Sequence, residues 1–146
     1  MTEAPRPERP RILTALEPDL DVAEFRRVLV ESGLGATRPV DDPGRLARML
    51  AKADIVMTAR LDREGRPLVG VARAVTDFSW CCYLSELAVS ESAQGLGAGR
   101  ALVAALRAAL GPEVALFLAS MPEAVGFYEA IGMAPLPDAF WFRRAR

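Results

Sequence analysis

Residues 94–100 read Gln-Gly-Leu-Gly-Ala-Gly-Arg, and this is the segment whose spacing can do chemistry with main-chain atoms alone. It lies between an apolar run that reads as a strand, Tyr83–Val89, and an alanine-rich run that reads as a helix, about Gly99–Leu110. Such a turn aims several backbone N–H groups at one spot before a helix N-terminus, where the dipole adds about half a positive charge. That is a seat for a phosphate, and Arg100 in the first helical turn can add a guanidinium to the same anion. Spacing restricts the ligand. A P-loop needs Lys and then Ser or Thr after its last glycine, and the chain has Arg100 and Ala101 instead. A dinucleotide fingerprint needs a third glycine where Arg100 stands, a residue too bulky for close helix packing. A glycine-rich connection that merely lets strand and helix pack closely is the bland alternative.

The other reactive side chains are few. There is no histidine, which excludes Ser-His-Asp and Cys-His arrangements and histidine metal sites. Cys81 and Cys82 are adjacent in a strand-like run, should point to opposite faces, and lack the C-x-x-C spacing of redox or zinc sites; they read as buried reduced thiols. No metal is expected. Acid–base work falls to carboxylates, Tyr, thiols, Lys52 or water.

Gln94-x-x-Gly97-x-Gly99 after a strand resembles the pyrophosphate loop of the GNAT superfamily of N-acetyltransferases, whose pattern is Arg/Gln-x-x-Gly-x-Gly/Ala. Phe127-Tyr128-Glu129-Ala130-Ile131-Gly132-Met133 resembles that superfamily's FYxxxGF segment, with Met133 in place of Phe, and Leu84–Val89 looks like its fourth strand. The resemblance covers about Tyr83 to Met133 closely and the remainder in its order of elements. It implies an α/β (α+β) fold with a mixed sheet of six to seven strands, four helices, and splayed fourth and fifth strands.

The same resemblance implies acetyl-CoA as cosubstrate. Its pyrophosphate would lie on the N–H groups of Gln94, Gly95, Leu96, Gly97, Ala98, Gly99 and Arg100, and its pantetheine on the backbone of Leu87, Ala88 and Val89. Ser120 is expected either to face the pantetheine or to cap the next helix. Tyr128 is placed beside the cofactor sulfur as the acid that protonates the leaving thiolate; by composition alone it would be an amphipathic core residue. An N–H of Leu87 or Val89 would stabilise the oxyanion. Glu86 is the candidate base, acting through water, with an ion pair to Arg73 or Arg100 as the alternative. Strand alternation puts it on the face opposite Leu87 unless a bulge intervenes.

The expected reaction is direct attack by a primary amine on the thioester. The amine must first lose a proton, since an alkylammonium is neutral in only about one molecule in two thousand at pH 7, a deficit of about 4.6 kcal/mol. The acceptor is a small-molecule or peptide amine. Asp41 and Asp42 lie where a cationic acceptor could be attracted, although helix capping explains Asp42, and Phe78, Trp80 and Tyr83 are either an aromatic acceptor wall or core. A non-catalytic acyl-CoA-binding module and a nucleotide binder are the competing functional classes.

The elements that must position these groups follow from pattern. Ile12–Leu16 reads as a strand. Asp21-x-x-Glu24 opens an amphipathic helix ended by Gly33, and Asp42-Pro43 opens a second. Ile55–Arg60, Pro67–Val75 and Trp80–Val89 form a meander, with a turn at Asp62–Gly65. Then come the glycine loop and its helix, closed by Gly111-Pro112, a strand at Val114–Leu118, a helix capped by Ser120-x-x-Glu123, and strands at Met133–Leu136 and Phe140–Arg143. With 146 residues, 51% of them hydrophobic, the chain reads as one domain at 1–146, long enough to bury about 68–70% of its unfolded surface. Residues Thr2–Pro10 read as a loose tail. A net charge of −1 without a basic block argues against nucleic acid. No apolar run spans a bilayer and no leader is evident, so a cytoplasmic setting without membrane contact is expected. The Phe140–Phe142 strand could support a homodimer.

Overall fold

The computed structural model describes residues 3–4 and 9–145, so most of the expected N-terminal tail lies outside the described residues. The described residues form one mixed sheet of five strands in the order β1 (Ile12–Leu16), β2 (Ile55–Leu61), β3 (Leu68–Thr76), β4 (Cys81–Val89) and β5 (Ala115–Phe117). The first four pair antiparallel in sequence order, β2–β3 and β3–β4 through short turns and β1–β2 across the two-helix excursion between them, and β4 pairs parallel with β5. Between β4 and β5 the chain crosses through α3 (Ala98–Leu110), the helix a parallel connection requires.

Helices cover both faces. α1 (Val22–Glu31) and α2 (Pro43–Lys52) bury Phe25, Val28, Leu29, Leu46 and Leu50 against Val56, Leu68, Val71 and Ala88 of the sheet. α3 lays Ala98, Leu102, Leu106 and Leu110 on the other face, against Ile55, Met57, Ala59, Ala72, Ala74 and Leu84. The apolar spacing of i, i+4, i+8 along α3 is what makes that face continuous. Both predicted caps form: the Asp21 carboxylate accepts from the Glu24 N–H at 3.3 Å, and Asp42 accepts from the Arg45 N–H at 3.0 Å. α4 (Val125–Ala130) follows a single 3-10 turn at Pro122–Ala124.

The C-terminal part differs from expectation. No strand forms at 133–136 or 140–143. Pro135 removes a donor inside the first segment and Pro137 follows directly after it, and β5 ends at Phe117, which leaves little edge to pair with. Phe140 and Phe142 stand almost fully exposed, at 95% and 103%, and Trp141 at 71%. Ser120 does not cap a helix either. Its hydroxyl donates to the Met121 carbonyl at 2.7 Å, and the turn begins with Pro122 after Met121.

Candidate active site

The site begins where β5 leaves β4. The parallel pairing covers only Cys81–Tyr83 against Ala115–Phe117, so the outer edge of β4 from Leu84 to Val89 faces an open cleft instead of another strand. A cavity of about 730 Å³ fills that cleft. One wall is Leu84, Ser85, Leu87 and Val89 of β4; the opposite wall is Leu118, Ala119, Met121, Phe127 and Tyr128; the glycine segment closes one end, and Ser32, Gly33, Leu34 and Arg38 line another part of it.

The glycine segment is built to offer donors. Gly95 and Gly97 sit at φ +85° and +86°, a left-handed conformation that costs an L side chain strain, and a Cβ added at either would meet nothing within 4 Å. Gly97 is the N-cap of α3, whose first internal bond runs from the Ala101 N–H to the Gly97 carbonyl at 2.9 Å. The N–H groups of Ala98, Gly99 and Arg100 are therefore left over by helix geometry. Those of Gly95 and Gly97 have no main-chain acceptor either. Gln94 and Leu96 differ from expectation. Their N–H groups are taken by Glu91 and Ala93 carbonyls at 3.2 and 3.3 Å, and the Gln94 side chain instead donates to the Val89 carbonyl at 3.4 Å. Leu96 turns into the α3-side core. Gly99 has a separate reason to be glycine: a Cβ there would come within 3.1 Å of the Phe127 ring, so α4 docks on the first turn of α3 through this position.

Along β4 the phase of the main chain follows from one bond. The Ser90 N–H donates to Val69 of β3 at 2.8 Å, so by strand alternation the polar groups of Ala88 turn to β3 and those of Leu87 and Val89 turn to the cleft. Ala88 is buried and lines no part of the cavity, so of the three residues named for the pantetheine, Leu87 and Val89 turn main chain to the cleft and Ala88 does not.

A bulge sits at Ser85, where the register jumps from Arg73↔Glu86 to Ala74↔Leu84. It moves Glu86 off the face of Cys82 and Leu84 and places it under α1 and α2, still opposite Leu87. There Glu86 is 1% exposed and clamped: Arg73 donates to it through Nε and through Nη2 at 3.2 Å, Arg38 Nε at 2.9 Å, and the Ser85 hydroxyl at 2.5 Å. Burial opposes its ionisation, but the Arg73 bonds and charge, Ser85 and Arg38 outweigh it and hold the carboxyl below its usual range. A carboxylate so satisfied, and absent from the cavity lining, is poorly suited to take a proton. The base role is corrected to that of an ion-pair hub, with Arg73 as the expected partner and Arg38 in place of Arg100.

Tyr128 lines the cavity half-buried, and burial raises its hydroxyl above the ordinary tyrosine value, which keeps it protonated at neutral pH. Its ring meets Phe127 edge-on, centroids 5.1 Å apart. Ser120 is exposed and outside the cavity lining. Asp41 pairs with Arg26 at 3.7 Å and Asp42 caps α2, so neither forms an acidic wall. Phe78, Trp80 and Tyr83 do not line this cavity and join neither core cluster; they are 52%, 77% and 38% exposed. Cys82 is buried as expected, whereas Cys81 is exposed. Among the described residues no group of three or more His, Cys, Asp or Glu is placed to hold a metal. No helix among them is long and apolar enough to cross a membrane.

Sequence reasoning missed Arg38. It lies in a segment without regular spacing, and only the folded register brings it to Glu86 and to the Ser85 carbonyl, at 2.7 Å. It also missed Glu123, the one carboxylate lining the cavity among the described residues, which reads in sequence as half of a capping box.

A family model described as Acetyltransferase (GNAT) family matches residues 24–133. The chain is 36% identical over 126 residues to serotonin N-acetyltransferase 2, chloroplastic, of Oryza sativa subsp. japonica; the match covers 82% of this chain and 60% of that protein. Among solved structures, a GNAT family acetyltransferase from Streptococcus pneumoniae superposes with TM-score 0.68 at 20% identity, covering 92% of this chain and 99% of that one. An aminoglycoside N-acetyltransferase in complex with CoA superposes with TM-score 0.67 at 15% identity, covering 97% of this chain and 99% of that one.

Proposed function

This chain belongs to the acetyltransferase (GNAT) family, and from that premise we propose that it transfers an acetyl group from acetyl-CoA to a primary amine by direct attack. The observation that carries the proposal is the run of donors at Gly95 and Gly97–Arg100 opening onto a cleft along the unpaired edge of β4, with Tyr128 on the facing wall. Main-chain N–H groups at a helix N-terminus suit a diphosphate. Leu87 and Val89 supply the free strand edge that an extended pantetheine amide chain can pair with, as an added strand would. The names of the rice relative and of the CoA-bound neighbour agree with amine acetylation and CoA binding.

In this reading the cofactor supplies an activated acyl thioester. The Leu87 N–H, turned to the cleft, polarises the thioester carbonyl and stabilises the charge that develops on its oxygen. Tyr128, held protonated by burial, donates to the departing sulfur. The cleft is open to solvent, which receives the ammonium proton, and no thiol lines it to form a covalent acyl-enzyme. Buried Cys82, reduced and unpaired, fits the cytoplasmic setting that this proposal adopts.

The test is release of free CoA from acetyl-CoA in the presence of an amine panel, with mass spectrometry of the product. A product heavier by one acetyl group on nitrogen is expected. Saturable acetyl-CoA binding without release for any amine would instead identify a sensing module.

A further inference from the structure

We infer that the acceptor amine carries a carboxylate and that Arg38 reads it, an inference that rests on amine acetylation at this same cavity. Glu86 is a single negative charge shared by two guanidiniums, Arg73 and Arg38, so the cluster keeps one excess positive charge. Its members are unequally accessible: the side chains of Glu86 and Arg73 are 1% and 11% exposed, that of Arg38 is 22% exposed, and only Arg38 lines the cavity. The excess is presented to a ligand through Arg38.

Four of its five N–H donors are engaged: Nε by Glu86, Nη1 by the Thr37 carbonyl and hydroxyl, and one on Nη2 by the Ser85 carbonyl. The second Nη2 donor has no protein partner among the described residues. A rigid guanidinium with three of its nitrogens pinned and one N–H free is pre-organised for a carboxylate oxygen.

Its position assigns it to the acceptor. Arg38 bonds the main chain at Ser85, two residues and about 7 Å along β4 from Leu87, on the side away from the glycine segment. Arg100 stands at that other end, so the two cavity-lining arginines are divided between two ligands. Beyond Glu86, no carboxylate bonds Arg38 among the described residues. The α1 exit contributes Ser32, Gly33 and Leu34; Asp41 and Asp42 are committed to Arg26 and to α2; Glu123 comes from the opposite wall. An acceptor's second ammonium would have only Glu123 in the lining as counter-ion, whereas a carboxylate would complete the Arg38 end of the site. The same positive charge favours the neutral, attacking form of the amine.

The experiment compares acceptors matched in everything but the acid, phenylalanine with phenethylamine and tryptophan with tryptamine, using acetyl-CoA as donor. The acid of each pair should have a kcat/KM at least tenfold higher. Arg38→Met should bring the ratio to about one while leaving the acetyl-CoA dissociation constant within twofold, and Arg38→Lys should retain part of the preference. Equal or better use of the plain amine by the unaltered enzyme overturns the inference without needing any variant. So does an unchanged ratio in Arg38→Met. Calorimetric binding of the acids to the protein–CoA complex separates this idea from the activity: if nothing is acetylated yet the acids bind and Arg38→Met abolishes it, the role of Arg38 holds and acetyl transfer fails. If the acids neither bind nor react, both fail.

Discussion

Glu86 shows how far a residue's type can mislead about its task. As a carboxylate on the strand beside an expected groove it reads as a base, and the alternative of an ion pair with Arg73 is equally legible. What no pattern revealed is the bulge at Ser85 and the arrival of Arg38 from 48 positions away in sequence. Because the folded carboxyl titrates below its ordinary value of about 4.3, its contribution to stability is complete above that value and disappears as pH falls through the folded one. Glu86→Gln should therefore cost about 3–5 kcal/mol near pH 7, by leaving two guanidiniums without their buried anion. Its stability, followed by urea unfolding, should also fall less steeply with acid than that of the parent chain below about pH 4.5. For Tyr128 only the motif pointed to the cleft, whose lining it joins. Removing its hydroxyl, Tyr128→Phe, should lower kcat by about 10²-fold with little change in acetyl-CoA affinity, as steady-state kinetics beside calorimetry will report. The upward shift of the phenol places any alkaline loss of rate due to Tyr128 above the ordinary tyrosine value of about 10.

At the scale of elements, the segments with strong periodicity or a defined cap were readable: β1, both capped helices, the meander and the helix after the glycines appear within a residue or two of expectation. The failures lie where tertiary pairing decides. Met133–Leu136 and Phe140–Arg143 have strand-like composition, but the three-residue β5 beside which they would add offers little edge to join, and Ser120-x-x-Glu123 has the letters of a capping box with Pro122 and a bond to Met121 in the way. The glycine loop was legible as a donor turn, yet which N–H groups remain free depends on the 3-10 turn at Glu91–Ala93, which absorbs those of Gln94 and Leu96. Two substitutions separate the duties of its glycines. Gly97→Val, forced to φ +86° with its side chain in the cavity, should abolish acetyl-CoA binding in calorimetry. Gly99→Val instead collides with the Phe127 ring, so it should loosen α4 and lower the melting temperature.

For the whole molecule, two helical layers on one sheet leave the cleft as the place where the sheet is deliberately incomplete. Stability resides in the layers. Phe25 is fully buried between α1 and the sheet, and Phe25→Ala should cost about 3–5 kcal/mol in chemical unfolding. Ligand binding should return stability through the cleft: acetyl-CoA at a hundredfold excess over its dissociation constant adds about 2.7 kcal/mol, while ATP and NAD should add little. The central claim is that the main-chain donors of the glycine segment hold the diphosphate of acetyl-CoA, and amide NMR during titration addresses it at each donor separately. Saturable shifts should appear at Gly95, Gly97, Ala98, Gly99 and Arg100, together with Leu87 and Val89, while Gly65 and Gly111 remain still. Saturation of binding with the 95–100 amides unmoved would contradict the account.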